Sequence, residues 1–149
     1  MKPINIFDKE YIQLFVYGND GIETFDRIMF SLGYTYDNIS TNEARESALH
    51  AIKQMLNYDL IRIHHWGEDN NYFKTQNLSN REILLVLRAK WKMGLDIPDF
   101  YGLVIFNLSD WYIIALEEEG MTHTTDWRLF VENKIGDLKQ WIEEKRPKK

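Results

Sequence analysis

ISTNEARESALHAIKQMLNYDLIRIHHWGEDNNYF, residues 39–73, is the stretch whose reading decides the fold. Ser40 and Glu43 stand in the S-x-x-E relation of a capping box, in which each side chain satisfies a backbone N–H that the first helical turn leaves unpaired. Ala44, Ala48, Ile52, Met55 and Leu56 then recur at helical spacing, which predicts a helix from about Thr41 to Asn57. The β-prone run Asp59–Trp66 follows, then the polar Gly67-Glu-Asp-Asn-Asn71, then Tyr72-Phe73. Asp and Asn tolerate turn conformations and bond their own backbone, so this order predicts two short strands around a turn. Leu60, Ile61 and Ile63 do not alternate cleanly and leave the register open. Trp66 and Tyr72 fall where a cross-strand pair would form.

Similar punctuation continues outward. Asp8 to Tyr17 reads as a short helix closed by Gly18, and Asn19-Asp20-Gly21 as a turn. Asp20 and Glu23 repeat the capping relation before an apolar stripe of Ile22, Phe25, Ile28, Met29 and Leu32, with Gly33 in the left-handed closing position. The clearest helix start is Leu78-Ser-Asn-Arg-Glu-Ile83. There Ser79 and Glu82 form a capping box and Leu78 and Ile83 a hydrophobic staple; the helix should end at Gly94. Pro98 interrupts the chain. Leu103–Phe106 fits either a buried strand or a short helix. Ser109 or Asp110 should cap a helix through Glu119, stopped by Gly120. A last amphipathic helix carries Trp127, Phe130, Val131, Ile135, Leu138, Trp141 and Ile142 on one face. Gly136, about 1 kcal/mol worse than Ala inside a helix, is a possible break in it. The prediction is a mainly α protein with a small antiparallel β-hairpin, an α+β class. It forms one domain over 1–149, with a core at 8–93, helical additions at 94–146 and a basic tail at 147–149.

The chain of 149 residues is long enough to bury a single core, and 28% charged residues against 44% hydrophobic marks it as globular. Without cysteine, disulfides, thiolate zinc sites and thiol catalysis are all excluded. No apolar run approaches the ~20 residues of a membrane span, and the first residues do not form a signal peptide. A soluble, cytoplasmic protein is expected. The net charge is -5, and the last five residues carry four cations, leaving a body of -9. Such a body repels phosphate backbones and favours a basic partner.

Catalytic and metal motifs are absent from the sequence. His64 and His65 are adjacent and should point to opposite faces of a strand, and with His50 and His123 they show no ligand spacing. No phosphate loop or nucleophile elbow occurs. The expectation is therefore no cofactor, no metal and no enzymatic activity. On the predicted third helix, Arg45 and Lys53 are the only firm cations, offset by Glu43 and Glu46. The anionic positions that stand out are Glu68-Asp69 in the turn and Glu117-Glu118-Glu119 at a helix C-terminus, where carboxylates oppose the helix dipole. An acidic solvated face accounts for them, as does a patch for a cationic partner. Aromatics reach 14%, and Tyr34, Tyr36, Trp66 and Tyr72 are the candidate anchors for such a partner.

By element order, residues 8–93 resemble a winged-helix module with helical additions, which implies DNA binding. By composition, the chain resembles small bacterial toxin-immunity proteins. That resemblance implies a tight complex with a basic toxin, a nuclease for example, through acidic and aromatic residues. The charges favour the second: Glu68 and Asp69 stand where a wing would meet phosphate. A protein-binding inhibitor is the expected function and a winged-helix transcription regulator the alternative.

Overall fold

The computed structural model describes residues 5–7, 22–23, 25–91, 104–122 and 125–147, with side chains placed outside 22–27 and 127–128. The predicted helix at 8–17, the turn at 19–21, Gly94, Pro98 and His123 lie outside the described residues. The elements in order are β1 (Ile22–Glu23), α1 (Phe25–Ser31), α2 (Asn42–Asn57), β2 (Ile61–His65), a 3-10 turn (Gly67–Asp69), α3 (Asn70–Phe73), α4 (Asn80–Lys90) and β3 (Ile105–Leu108). There follow α5 (Asp110–Glu118), α6 (Trp127–Phe130), which runs into a π turn (Val131–Ile135), and α7 (Leu138–Lys145). The protein is mostly helical with a small antiparallel sheet, as the sequence predicts.

α2 is the central helix. Ala44, Ala48 and Ala51 are fully buried with Leu49, Ile52, Met55 and Leu56. The small side chains leave room for neighbours, and α1, α4 and β2 all pack against this helix. Its cap is Thr41, one residue later than Ser40: Thr41 Oγ1 accepts from the Ala44 N–H at 3.2 Å, and the hydroxyl donates to the Asn38 carbonyl at 2.8 Å. That shift places Ala44 where the capping box needs Glu43, so no box forms. At the other end, Leu60 N–H donates to the Met55 carbonyl (2.9 Å) and Asp59 N–H to Leu56 (3.0 Å). This is a Schellman closure with Asp59 at its left-handed position, φ 63°. Trp111 Nε1 donates to the Asp59 carbonyl at 2.6 Å and holds the turn in place.

The Leu60 carbonyl next accepts from Ser109 N–H at 2.7 Å, and β2 runs antiparallel to β3 with Ile61 opposite Leu108, Arg62 opposite Asn107 and Ile63 opposite Phe106. Of the run Leu103–Phe106, Ile105 and Phe106 are strand, and Leu103 lies outside the described residues. β1 pairs with the other side of β3. The predicted hairpin is corrected here: β2 finds its partner in β3, and Tyr72-Phe73 is helical, not a returning strand. The reason is Trp66. Its indole is buried and stacks at 4.8 Å on Phe73, while Asn70 Oδ1 accepts from the Trp66 N–H. Coiling the polar run brings residue 73 back over residue 66; an extended strand would not. The expected Trp66–Tyr72 pair is replaced by Trp66–Phe73, and the helix-then-wing order behind the winged-helix resemblance is lost.

The second capping box is present as read. Ser79 Oγ accepts from Glu82 N–H, and the Glu82 carboxylate accepts from Ser79 N–H, which holds the Glu82 carboxyl below its ordinary pKa. α5 starts after Ser109 and closes at Gly120. The last helix breaks at Gly136, φ 80°, and restarts with Asp137 accepting from Gln140 N–H. Buried residues from Ile6 to Ile142 form one apolar cluster, with Trp91, Phe106 and Tyr112 among its largest members.

A left-handed conformation costs an L-residue roughly 1–2 kcal/mol and glycine almost nothing. Asp59→Gly should therefore be neutral or stabilising by up to about 1 kcal/mol, and Asp59→Val clearly destabilising, in urea unfolding.

Candidate partner-binding surface and the adjoining cleft

The nine residues singled out in the sequence divide sharply by burial. Tyr34 is half-buried, and its hydroxyl shares a 2.7 Å hydrogen bond with Ser47, tying the loop after α1 to α2. Trp66 is a core residue. Neither is placed to anchor a partner. Tyr36 is 75% exposed and leans on Phe30 at 5.2 Å. Tyr72 is 67% exposed, with its ring edge-on to Phe73 at 4.8 Å. Glu68 and Asp69 are exposed in the 3-10 turn, and Asp69 forms an ion pair with Lys90 at the end of α4. Glu117 and Glu118 are exposed in the last turn of α5, and Glu119 is its C-cap. The fold thus gathers Glu68, Asp69 and Tyr72 onto one short coiled segment, Gly67–Phe73. Tyr36 and Glu117–Glu119 belong to other elements.

Arg45, one of the two firm cations of α2, is committed inward. Its side chain is 13% exposed. Nε donates to the Trp91 carbonyl at 2.7 Å, one Nη to the Arg88 carbonyl at 3.0 Å and the other Nη to Glu46 at 2.7 Å. It closes the C-terminal end of α4, where carbonyls lack helical partners. Glu46 in turn takes a forked pair of bonds from Arg88, at 2.6 and 3.0 Å. Arg88 above all, with Arg45 behind it, holds the Glu46 carboxyl below its ordinary pKa despite partial burial, and the Arg88 guanidinium is raised in return. α2 packs on α1 and α4, and its exposed positions include Asn42, Glu43, Lys53 and Asn57.

The histidines have separate commitments. His50 meets Gln54 at 3.1 Å, His64 approaches Asn107 at 3.5 Å, and His65 Nδ1 accepts from Gly67 N–H at 3.0 Å. A bulge between Ile63 and His65 breaks the alternation that predicts opposite faces, and both His64 and His65 are exposed. Among the described residues, no group of three His, Asp or Glu is placed to hold a metal ion, and no helix is long and apolar enough to cross a membrane.

Beside the Gly67–Phe73 segment lies a cleft of about 370 Å³, which no single motif in the sequence signals. It is lined by residues of β2, by Lys74, Asn77 and the start of α4, and by Leu56, Trp66 and Phe73. Its residues come from α2, β2, α3 and α4 and the turns between them, and α4 is held beside the end of α2 by the Asn80 bond to the Leu56 carbonyl. The chain has no match among protein-family models, curated proteins or solved structures.

Arg45→Ala should cost about 1–3 kcal/mol, because partly buried carbonyls lose a charged donor. Arg45→Lys should recover only part of this, since one ammonium cannot replace a planar fork. For Glu46 the folded pKa is depressed, so its contribution is complete above the unfolded value near 4.5 and is lost as pH falls through the lower folded value. Glu46→Gln should cost about 0.5–1 kcal/mol at neutral pH. It should also flatten the loss of stability below that pH, in urea titrations across the acid range.

Proposed function

We propose that this protein is a cytoplasmic protein-binding inhibitor of the immunity or antitoxin kind, which neutralises a basic effector, such as a nuclease toxin, by direct contact. The observation that carries the reading is the Gly67–Phe73 segment. Tyr72 stands 67% exposed one turn beyond the exposed Glu68, while its neighbour Phe73 takes the packing role against Trp66. Apart from its edge-on contact with Phe73, the Tyr72 ring faces solvent. A tyrosine there offers a large, stiff contact surface with a polar tip, the type of group that dominates interface energetics. Exposed Tyr36 beside exposed Asp37 repeats the combination on the loop after α1. Carboxylates around such anchors steer a cationic partner and exclude an anionic one, with a strong dependence on salt.

The immobilised protein, challenged with bacterial lysate in about 50 mM salt, should retain a basic protein that about 0.5 M salt releases. Tyr72→Ala and Glu68→Lys should each weaken the purified complex by about tenfold or more with unchanged thermal stability, and the wild-type complex should suppress the partner's activity. Retention of nothing, or of an acidic protein indifferent to salt and to both substitutions, overturns the proposal. A shift of mixed-sequence duplex by micromolar protein in about 50 mM salt would overturn it in favour of a nucleic-acid regulator.

A further inference from the structure

Among the described residues β2 lies at an edge of the sheet, in the order β1-β3-β2. The Leu60 carbonyl is bonded toward β3 through Ser109. Backbone groups of an antiparallel pair alternate between partner side and outer side, so Ile61 and Ile63 turn their N–H and C=O away from β3. The cleft lies on that outer side. Its wall includes four consecutive strand residues, Ile61 to His64, and none of Ile105–Leu108. A cavity over a sheet face would touch alternate residues and the next strand; one that touches four consecutive residues of β2 and nothing of β3 follows the strand's outer edge.

We infer that this cleft receives an extended peptide segment, which adds to Ile61–Ile63 as a strand and sets a carboxylate side chain against Lys74. The backbone supplies the first half of the argument. A row of donors and acceptors on an open edge is matched in spacing by another extended chain. The side chains supply the second half. Trp66, Phe73 and Leu78 in the lining offer apolar contact to one face of the incoming segment. Several polar groups of the lining are already engaged: Arg62 with Asn107 and Asp110, Asn70 with Trp66, Asn80 with the Leu56 carbonyl. Lys74 is an exposed cation in the same lining and selects for a carboxylate. Asp59 lies at the start of β2 and disfavours a second carboxylate at that end. This docking is independent of the Tyr72 and Glu68 contact with a basic partner, because it uses the inner wall of the segment and a separate charge.

The test is amide NMR of the full chain titrated with a blocked heptapeptide of alternating valine and glutamate. Two comparison peptides carry lysine in place of glutamate, or N-methyl groups at alternate residues. The Ile61 and Ile63 amides should shift, and N-methylation should weaken binding by about tenfold or more, because strand bonds are lost. Lys74→Glu, an exposed change that leaves the fold intact by its amide spectrum, should reverse the preference between glutamate and lysine peptides. The inference is overturned if about 1 mM glutamate peptide leaves Ile61 and Ile63 unmoved, or if the N-methylated peptide binds equally well. It is also overturned if those amides are protected in a concentration-dependent dimer that binds no peptide, which would assign the edge to a second copy of the chain.

Discussion

The pairing of β2 with β3 is the constraint on which the rest of the structure depends. It begins at one bond, Ser109 N–H to the Leu60 carbonyl at 2.7 Å, directly after the Schellman turn that ends α2. The direction in which α2 stops therefore sets the direction of the sheet. β3 pairs with one side of β2, and the chain after His65 does not return as a strand on the other. It coils instead, and buries Trp66 under Phe73. That coil pushes Tyr72 and Glu68 into solvent and stands opposite the unpaired side of β2. The exposed aromatic surface and the cleft are two faces of one short segment, and both follow from a strand that finds its partner far along the chain.

The charges follow the same division between structural and available. Arg45, Glu46 and Arg88 are the strongest polar constellation among the described residues, and they join α2 to the end of α4. Arg45 reaches three acceptors at once, a use for which its planar fork is suited and lysine is not. Removing this cation from the surface leaves the carboxylates outside less opposed.

Much of the helical framework is legible from local chemistry. Ser79 with Glu82, the closures at Gly33 and Gly120 and the break at Gly136 all act within one or two turns, so the residues that decide them are close in sequence. The start of α2 moves from Ser40 to Thr41 because both residues can cap and the choice depends on Asn38, which receives the Thr41 hydroxyl. The strand partner of Ile61–His65 is not legible: Asp69-Asn70-Asn71 suits a hairpin turn as well as a helix start, and the deciding contact of Trp66 with Phe73 is tertiary. At the candidate surface, Tyr36, Glu68 and Tyr72 are exposed as expected. Tyr34 and Trp66 are not, because Ser47 and Phe73 claim them. Composition reveals that tyrosines are plentiful, but not which of them the core uses.

Tyr58, just past the end of α2, holds one more consequence. Phe7 meets its ring edge-on at 5.0 Å, and Arg146 lies over it at 5.7 Å while donating to the Asn57 carbonyl at 3.2 Å. Residues 7, 58 and 146 are made at widely separated times during synthesis. The first two can meet while the ribosome is still working, but the third arrives only after the rest of the core has been translated. Contacts of such long separation are slow to gain. A nascent chain halted before residue 146 therefore carries an unlatched junction at the end of its central helix, and such exposed apolar surface is what chaperones bind.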